Sequence, residues 1–294
     1  MKVSAQTQIA ILITVVLLSA INLNAQNTAQ TTEPQSKFVG EISALAQNAK
    51  VRRRFRQGFS LQANYTFGKE LSDFTGSTTS NSSFISQRDP DYEFIAQNPY
   101  HVFKANFLYQ LPFGKGKEFF NRGGISNVLL GGFQIGAIVR AESGDILTIT
   151  SGLGTLNRAG RSAGNAVDVV SGASLSDLRG QIGARTDANA RIVFFDADFA
   201  NNFANPQPGT LGNLGRGRFE GPGFFTTDFS VIKRIPITER QNIEFRAEFF
   251  NVFNNVNFSN PSAVNLNFNS SNFGVIDNIR GNPRIVQFAL WYNF

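Results

Sequence analysis

The chain has 294 residues, a formal charge of +6 and a pI near 9.8. It has no cysteine and a single histidine, His101, which excludes structural disulfides, thiolate and multi-histidine metal centres and a cysteine nucleophile. Its basic residues are scattered apart from Arg52, Arg53, Arg54 and Arg56, so there is no stripe to follow a phosphate backbone, and nucleic acid is not an expected partner.

The first segment carries Lys2, an apolar run from Ile9 to Leu18, then small and polar residues up to Ala25. This is the pattern of a secretory signal peptide over residues 1–25. An uncleaved membrane anchor is the alternative, but the run is short of the roughly 20 apolar residues a spanning helix needs. Leu23 takes the place of a small residue three positions before the cleavage point, and the lack of cysteine leaves no lipoprotein attachment site. Residues 26–40 read as a polar, disordered start, followed by the main segment, 41–294.

From there the dominant signal is a period of two. "EISALAQNAKVRRRF" shows it most weakly, near 41–54. In "GFSLQANYTFG" (strand near 57–69) Phe59, Leu61, Ala63, Tyr65 and Phe67 alternate with Ser60, Gln62, Asn64 and Thr66. In "HVFKANFLYQLPF" (101–113) Phe103, Ala105, Phe107, Tyr109, Leu111 and Phe113 oppose Lys104, Asn106 and Gln110. In "GFQIGAIVRAESG" (strand near 130–150) Phe133, Ile135, Ala137, Val139 and Ala141 oppose Gln134, Arg140 and Glu142. "FFTTDFSVIKRI" (224–235) sets Phe225, Phe229 and Val231 against Asp228 and Ser230. "NIEFRAEFF" (strand near 241–254) sets Ile243, Phe245, Ala247 and Phe249 against Glu244, Arg246 and Glu248. The last segment (284–294) sets Val286, Phe288, Leu290, Tyr292 and Phe294 against Gln287 and Asn293.

Successive side chains of a strand point to opposite faces, so alternation predicts strands, here seven. A helix over 243–249 would place Glu244 and Glu248 on one stripe and surround them with Phe. A soluble β-sandwich also alternates. Three features favour a membrane barrel over it: strands of about ten residues or more against a usual five or six, aromatic residues at strand ends as in interfacial girdles, and an opposite face of amides and paired charges that suits a wet lumen. The chain holds 30 Phe but one Trp and one Met at a mean hydropathy of −0.14, so its apolar load is concentrated in Phe. A Lys or Arg facing lipid at mid-bilayer costs about 2–4 kcal/mol. Lys104, Arg140 and Arg246 all have polar parity; only Lys233 has apolar parity, near a strand end where the penalty falls away. The expected fold is therefore all-β, an antiparallel transmembrane β-barrel of seven or eight strands, with outer-membrane lipid as a partner and Lys104, Arg140, Glu142, Glu244, Arg246 and Glu248 as lumen-facing charges.

The connections differ in length. "RQG" and "PITER" are tight and 114–127 is intermediate, whereas 70–100, 151–223 and 255–283 are long and rich in Gly, Asn, Ser and Asp. Short turns face the periplasm and long loops the exterior. The largest loop is expected to hold structured pieces such as "RIVFFDADFA". With Phe294 ending in the periplasm, the first of seven strands would begin outside, although an exported chain begins in the periplasm. Single-chain bacterial barrels have even strand numbers, so either a strand is hidden or the chain is part of a larger barrel.

No catalytic, cofactor or metal site is expected. "GNLGRG" neither follows a strand nor opens a helix, so its glycines read as turn formers rather than a phosphate cradle. Asp89, Asp91 and Glu93 lack the spacing of a calcium loop. Ser162 has no histidine partner for a triad, and His101, at a strand start, suits a girdle.

"GNLGRGRFEGPGFFTTDFSVIKRIPITERQNIEFRAEFFNVFNNVNFSNP" (212–261) and "GNPRIVQFALWYNF" (281–294) resemble the C-terminal end of TonB-dependent outer-membrane transporters of the Oar-like type. "FRQGFSLQANYTFGKELSDF" and "HVFKANFLYQLPFGKGKEF" resemble preceding strands of those barrels. The resemblance implies a partial barrel of a family with about 22 strands and an enclosed plug, and a role in substrate uptake across the outer membrane. This chain has room for neither the plug nor the remaining strands, and residues 26–40 do not read as a TonB box. A barrel remnant, or a chain that needs other strands or chains to close its ring, is the alternative. The last seven strands of such a barrel would begin outside and run inward, which accounts for the odd count. The alternating tail Val286, Phe288, Leu290, Tyr292 and Phe294 resembles the signal that the barrel-assembly machinery reads on a final strand. Deleting Phe294 is expected to cut outer-membrane insertion, scored by fractionation; unchanged insertion would remove the assembly role.

Overall fold

The computed structural model describes residues 42–56, 58–72, 99–121, 123–155, 167–170, 172–210, 212–262 and 265–294. The leader, the segment 26–40, Asp89, Asp91, Glu93 and Ser162 lie outside the described residues.

Seven long strands form one antiparallel sheet: β1 (Ile42–Arg56), β2 (Phe59–Ser72), β3 (His101–Gln110), β4 (Phe133–Glu142), β11 (Phe224–Pro236), β12 (Asn242–Phe250) and β15 (Ile285–Asn293). They neighbour one another in chain order, so the sheet is a simple meander. Their number and order match the alternation in the sequence, and even the weakly patterned β1 pairs along most of its length with β2. The shortest have nine residues, about 30 Å extended and about 20 Å deep at a 45° tilt, the reach of a membrane strand. No helix among the described residues is long and apolar enough to cross a membrane. The sheet is not closed: β1 and β15 are its two edges.

The registers align one face throughout: odd-numbered residues of β1 to β12 share it with even-numbered residues of β15, because β12 and β15 pair odd to even. Ala63 faces Ala105, which faces Val139. Phe103 faces Ala141, which faces Phe225, and Phe107 faces Ala137, which faces Phe229. Val231 faces Ala247, which faces Phe288. Large rings thus stand beside small methyls across the ladder. Ala63, Ala137, Ala141 and Ala247 are buried beneath these neighbours although no second layer of strands covers the face. A one-residue slip anywhere would turn a strand's rings to the other side.

The three connections at one rim are short or intermediate: Gly58 between β1 and β2, 111–132 between β3 and β4, and 237–241 between β11 and β12. The other three emerge at the opposite rim and are long. Strand ends differ from the sequence expectation for local reasons. β3 stops at Gln110 because Pro112, with no N–H, cannot continue the ladder. β4 stops at Glu142 rather than running to 150 because the chain departs at Gly144, where a Cβ would stand 1.8 Å from the Gly221 carbonyl oxygen. β12 stops at Phe250; Asn251 and Asn254 follow with φ of 48° and 52°, which asparagine tolerates better than most residues.

The two longest loops fold together into a cap with its own core. Its strand pairs are β5 (Ile146–Leu147) with β10 (Phe219–Glu220), β6 (Asp168–Val169) with β9 (Phe203–Ala204), β7 (Arg185–Thr186) with β8 (Ile192–Val193), and β13 (Asn257–Phe258) with β14 (Ile279–Arg280). Of the short helices, α1 (Ile125–Leu130) lies in the β3–β4 connection, whereas α2 (Leu175–Gly180) and α3 (Ala197–Ala200) belong to the cap. "RIVFFDADFA" supplies β8, then Phe194 and Phe195, then Asp196, which caps α3 by accepting the Phe199 N–H at 2.8 Å. Phe195 is fully buried; its ring stacks on Phe199 at 5.1 Å and Phe273 at 5.5 Å and meets Phe219 edge-on at 5.8 Å. Leu147, Ile149, Val167 and Leu178 complete this core. Asparagine amides bind its irregular backbone. Asn257 pairs with both the N–H and the C=O of Phe225, tying the cap to β11 as a strand partner would. Asn265 donates to the Val275 carbonyl and to Asp277, and Asn269 to the Ser151 carbonyl.

Phe195→Ala should destabilise the cap by about 3–5 kcal/mol and leave the sheet paired. Limited proteolysis should then cut within 167–223 while the β-sheet circular dichroism persists; loss of both together would show that cap and sheet fold as one unit.

Candidate functional site

The even-numbered face of the sheet carries all six charges singled out in the sequence, and its geometry sorts them into two groups. On β12, Glu244 is buried and takes two guanidiniums: Arg234 of β11 donates through Nε at 2.6 Å and Arg246 through Nη2 at 2.8 Å. Arg246 also lies 3.6 Å from Glu248, and its guanidinium covers the Trp291 ring at 4.9 Å. The Gln287 amide donates to Glu248 across the β12–β15 pair. One row therefore crosses three strands with alternating sign.

The second group lies toward the long-loop rim. Lys104 stands directly opposite Arg140 in the β3–β4 register. Arg140 turns from this like charge to Glu142, at 2.6 Å, and to the face of Phe224, at 5.0 Å. Arg280, on β14 of the cap, reaches the same carboxylate at 3.3 Å and the same ring at 5.2 Å. Glu142 is thus a joint between wall and cap. Arg234 and Arg280 are the two members the sequence reading passes over. Extending the even parity of Asp228 and Ser230 along β11 reaches Arg234; Arg280 comes from a loop and has no periodic signal.

Above this group lies a cavity of about 680 Å³ between the outer ends of β3 and β4 and the cap. Tyr100, Ser143, Arg179, Phe219 and Glu220 line it. Burial, with the Glu220 carboxylate nearby, pushes the Tyr100 phenol above its ordinary range, and Arg179 partly offsets this. The phenol is therefore neutral and can both donate and accept a hydrogen bond at physiological pH. The "GNLGRG" glycines lie in the cap, where Gly215 and Gly217 take φ of 73° and 64° in turns. Among the described residues no cluster of His, Asp and Glu is arranged to hold a metal.

The apolar face, odd-numbered up to β12 and even-numbered in β15, ends in aromatic groups at both rims. At the long-loop rim His101 packs beside Phe67 at 5.2 Å and stacks on Tyr65, whose hydroxyl shares a 2.7 Å hydrogen bond with His101 Nδ1. At the short-turn rim Phe59 meets Tyr109, Phe113 meets Phe119 and Phe120, and Tyr292 stacks on Phe294. The even-numbered tail residues Val286, Phe288, Leu290, Tyr292 and Phe294 are all exposed, and the odd-to-even register with β12 puts the first four on the same apolar face. Two lysines have apolar parity in these ladders: Lys69, exposed near the long-loop end of β2 opposite Leu45, and Lys233, which is buried. The Lys233 Nζ donates to the carbonyls of Leu129 and Gly131 and lies 4.2 Å from the Phe133 ring centre. Its charge is therefore met by helix-end carbonyls and a π face, not merely relieved by a position near a strand end.

A meander with one aromatic and one charged face, aromatic bands at both rims and unequal connections is the wall of a membrane-spanning β-barrel. The family model of the outer membrane beta barrel domain matches residues 19–287, and the chain belongs to that family. No curated protein and no solved structure matches the chain. The family places the protein in the outer membrane.

Glu244→Ala leaves two arginines facing each other without their shared carboxylate. It should cost about 1–2 kcal/mol, at the low end because both guanidiniums reach water. Glu248→Ala should cost less than half as much. Urea unfolding of the micelle-bound protein, followed by Trp291 fluorescence, orders the two; equal effects would show that Glu244 is not the hub.

Proposed function

We propose that the chain forms the C-terminal part of the wall of a transport-class barrel of the TonB-dependent receptor type, exported by its N-terminal leader and acting without catalysis. The observation that carries this reading is that the registers bring the apolar residues of β2, β3, β4, β11, β12 and β15 onto one face of the sheet. It gives one continuous apolar surface for outer-membrane lipid and one continuous polar surface for a wet lumen. The charges at Lys104, Arg140, Glu142, Glu244, Arg246 and Glu248 then line the passage, and the cap and its cavity are the first surfaces a solute meets from outside. The resemblance of 212–261 and 281–294 to the ends of such receptors supports the class. The exposed tail on β15 supports delivery by the barrel-assembly machinery.

A second reading is favoured by the two open edges. In hydrocarbon every backbone N–H and C=O must be paired, and β1 and β15 each leave a row without a ladder partner in this sheet. On this reading the chain is a barrel remnant, or it closes its ring with strands of other chains. Heat-modifiable migration on gels separates the cases: a fast-migrating monomer marks self-closure, a fast-migrating multimer marks closure between chains, and no fast form marks a remnant.

The face assignment has its own test in matched substitutions on one strand. Phe288→Arg puts a charge near the middle of the apolar face, at about 2–4 kcal/mol, and should abolish insertion. Gln287→Arg, one residue away and opposite Glu248, should insert normally. Equal loss from both would sink the assignment of faces.

A further inference from the structure

The β3–β4 connection has a feature the wall does not need. Over 119–130 it exposes Phe119, Phe120, Ile125, Val128, Leu129 and Leu130, at 41–79 % of their full surface. Helix α1 buries none of its residues, and its N-cap, Gly124, makes no side-chain cap. A six-residue helix does not hold itself in water. This one is held from outside. Lys233 binds the carbonyls of its last turn, and Asn127 accepts the Lys115 N–H at 2.7 Å through Oδ1, folding the connection back on itself.

The anchoring lysine fixes where the helix lies. Lys233 projects from the apolar face of β11, beside Phe133 of the same face. α1 is therefore drawn to the apolar side of the short-turn rim, in the same connection as the Phe113, Phe119 and Phe120 ring cluster. Ile125, Val128 and Leu129, spaced three and four apart, form one stripe that continues the belt below the sheet. The basic residues of the connection, Lys115, Lys117 and Arg122, outnumber its one acid, Glu118; Lys115 is exposed, whereas Lys117 turns to the Gln110 amide of the polar face at 3.4 Å.

We infer that the α1 connection is an interfacial anchor for phospholipid of the periplasmic leaflet. The Ile125, Val128 and Leu129 stripe lies among the upper acyl carbons, and Lys115 binds the anionic headgroups. Continuity with the apolar belt and the excess of positive charge select this occupant over a protein partner. The inference rests on the proposal that the apolar face meets lipid.

The absence of native cysteine permits a direct test on the full chain in vesicles. Single substitutions Leu129→Cys, Phe288→Cys and Gly116→Cys carry a fluorophore, and nitroxide lipids quench from the headgroup end or from the chain end. The Leu129→Cys probe should be quenched mainly from the headgroup end, the Phe288→Cys probe mainly from the chain end, and the Gly116→Cys probe weakly by either. Adding phosphatidylglycerol to phosphatidylcholine should raise quenching at Leu129→Cys. Lys115→Gln should remove that gain, with a shift of about fivefold in the docked-to-undocked ratio, and Lys117→Gln should change it less. Quenching at Phe288→Cys with none at Leu129→Cys overturns the anchor and leaves the wall intact. No quenching at either overturns both. Quenching at Leu129→Cys that ignores phosphatidylglycerol overturns the headgroup role.

Discussion

The backbone of a strand in hydrocarbon has nowhere to place its N–H and C=O groups except on another strand. Everything else in this molecule follows from satisfying that demand. Once strands must lie side by side, their registers decide which side chains share a face, and a single slip would send a row of rings into water and a row of arginines into lipid. The ladders from β2 to β15 keep the apolar residues on one face, odd-numbered up to β12 and even-numbered in β15. Local irregularities are confined to places where the chain leaves the sheet or bends at its rim, such as the shift between Arg53 and Arg56 in β1. Lys233 breaks the parity of charge but not the logic, because carbonyls and a ring replace the water it would otherwise need.

The same demand explains how wall and cap are joined. Beyond Glu142 the chain can stop obeying the ladder, since water is available, and it immediately does: Gly144 passes against Gly221 so closely that no side chain fits. From there asparagine amides take over the role of the ladder. Asn257 reads both polar groups of Phe225 as a neighbouring strand would. Glu142, Arg140 and Arg280 add a charged clasp around Phe224 at the same junction. The cap is thereby tied to the outer ends of β4 and β11, so the cavity beside Tyr100 has defined walls.

The sheet was largely legible in the sequence and the cap largely was not, for one reason. A strand with unlike faces repeats every two residues, so seven strands, their order and their facing could be read from Phe103, Ala105 and Phe107 or from Glu244, Arg246 and Glu248 without knowing any partner. Strand ends were less clear, because what ends β4 is a close approach to Gly221, about 80 residues away in the chain. The pairing of Glu244 with Arg234 needed only an extension of the parity along β11. Arg280 could not be found that way, since its place beside Glu142 depends on how a loop returns across the rim. Helix α1 was passed over as an intermediate turn because its six residues are too few to show a helical period.

Phenylalanine, abundant throughout, serves two opposite ends, and composition alone cannot separate them. Phe195, Phe199, Phe219 and Phe273 are hidden from every solvent and pack ring on ring. Phe245 and Phe288, stacked at 6.0 Å across β12 and β15, lie on an uncovered face with 39 % and 67 % of their surface open. In water the second pair would be a liability of the kind that drives association; in lipid it is the ordinary surface of a barrel wall. The difference lies in spacing. The cap phenylalanines follow no fixed period, and their burial is set by tertiary packing in water. Those of the sheet recur every second residue because the medium beside them, not a neighbouring layer, supplies the other half of the contact.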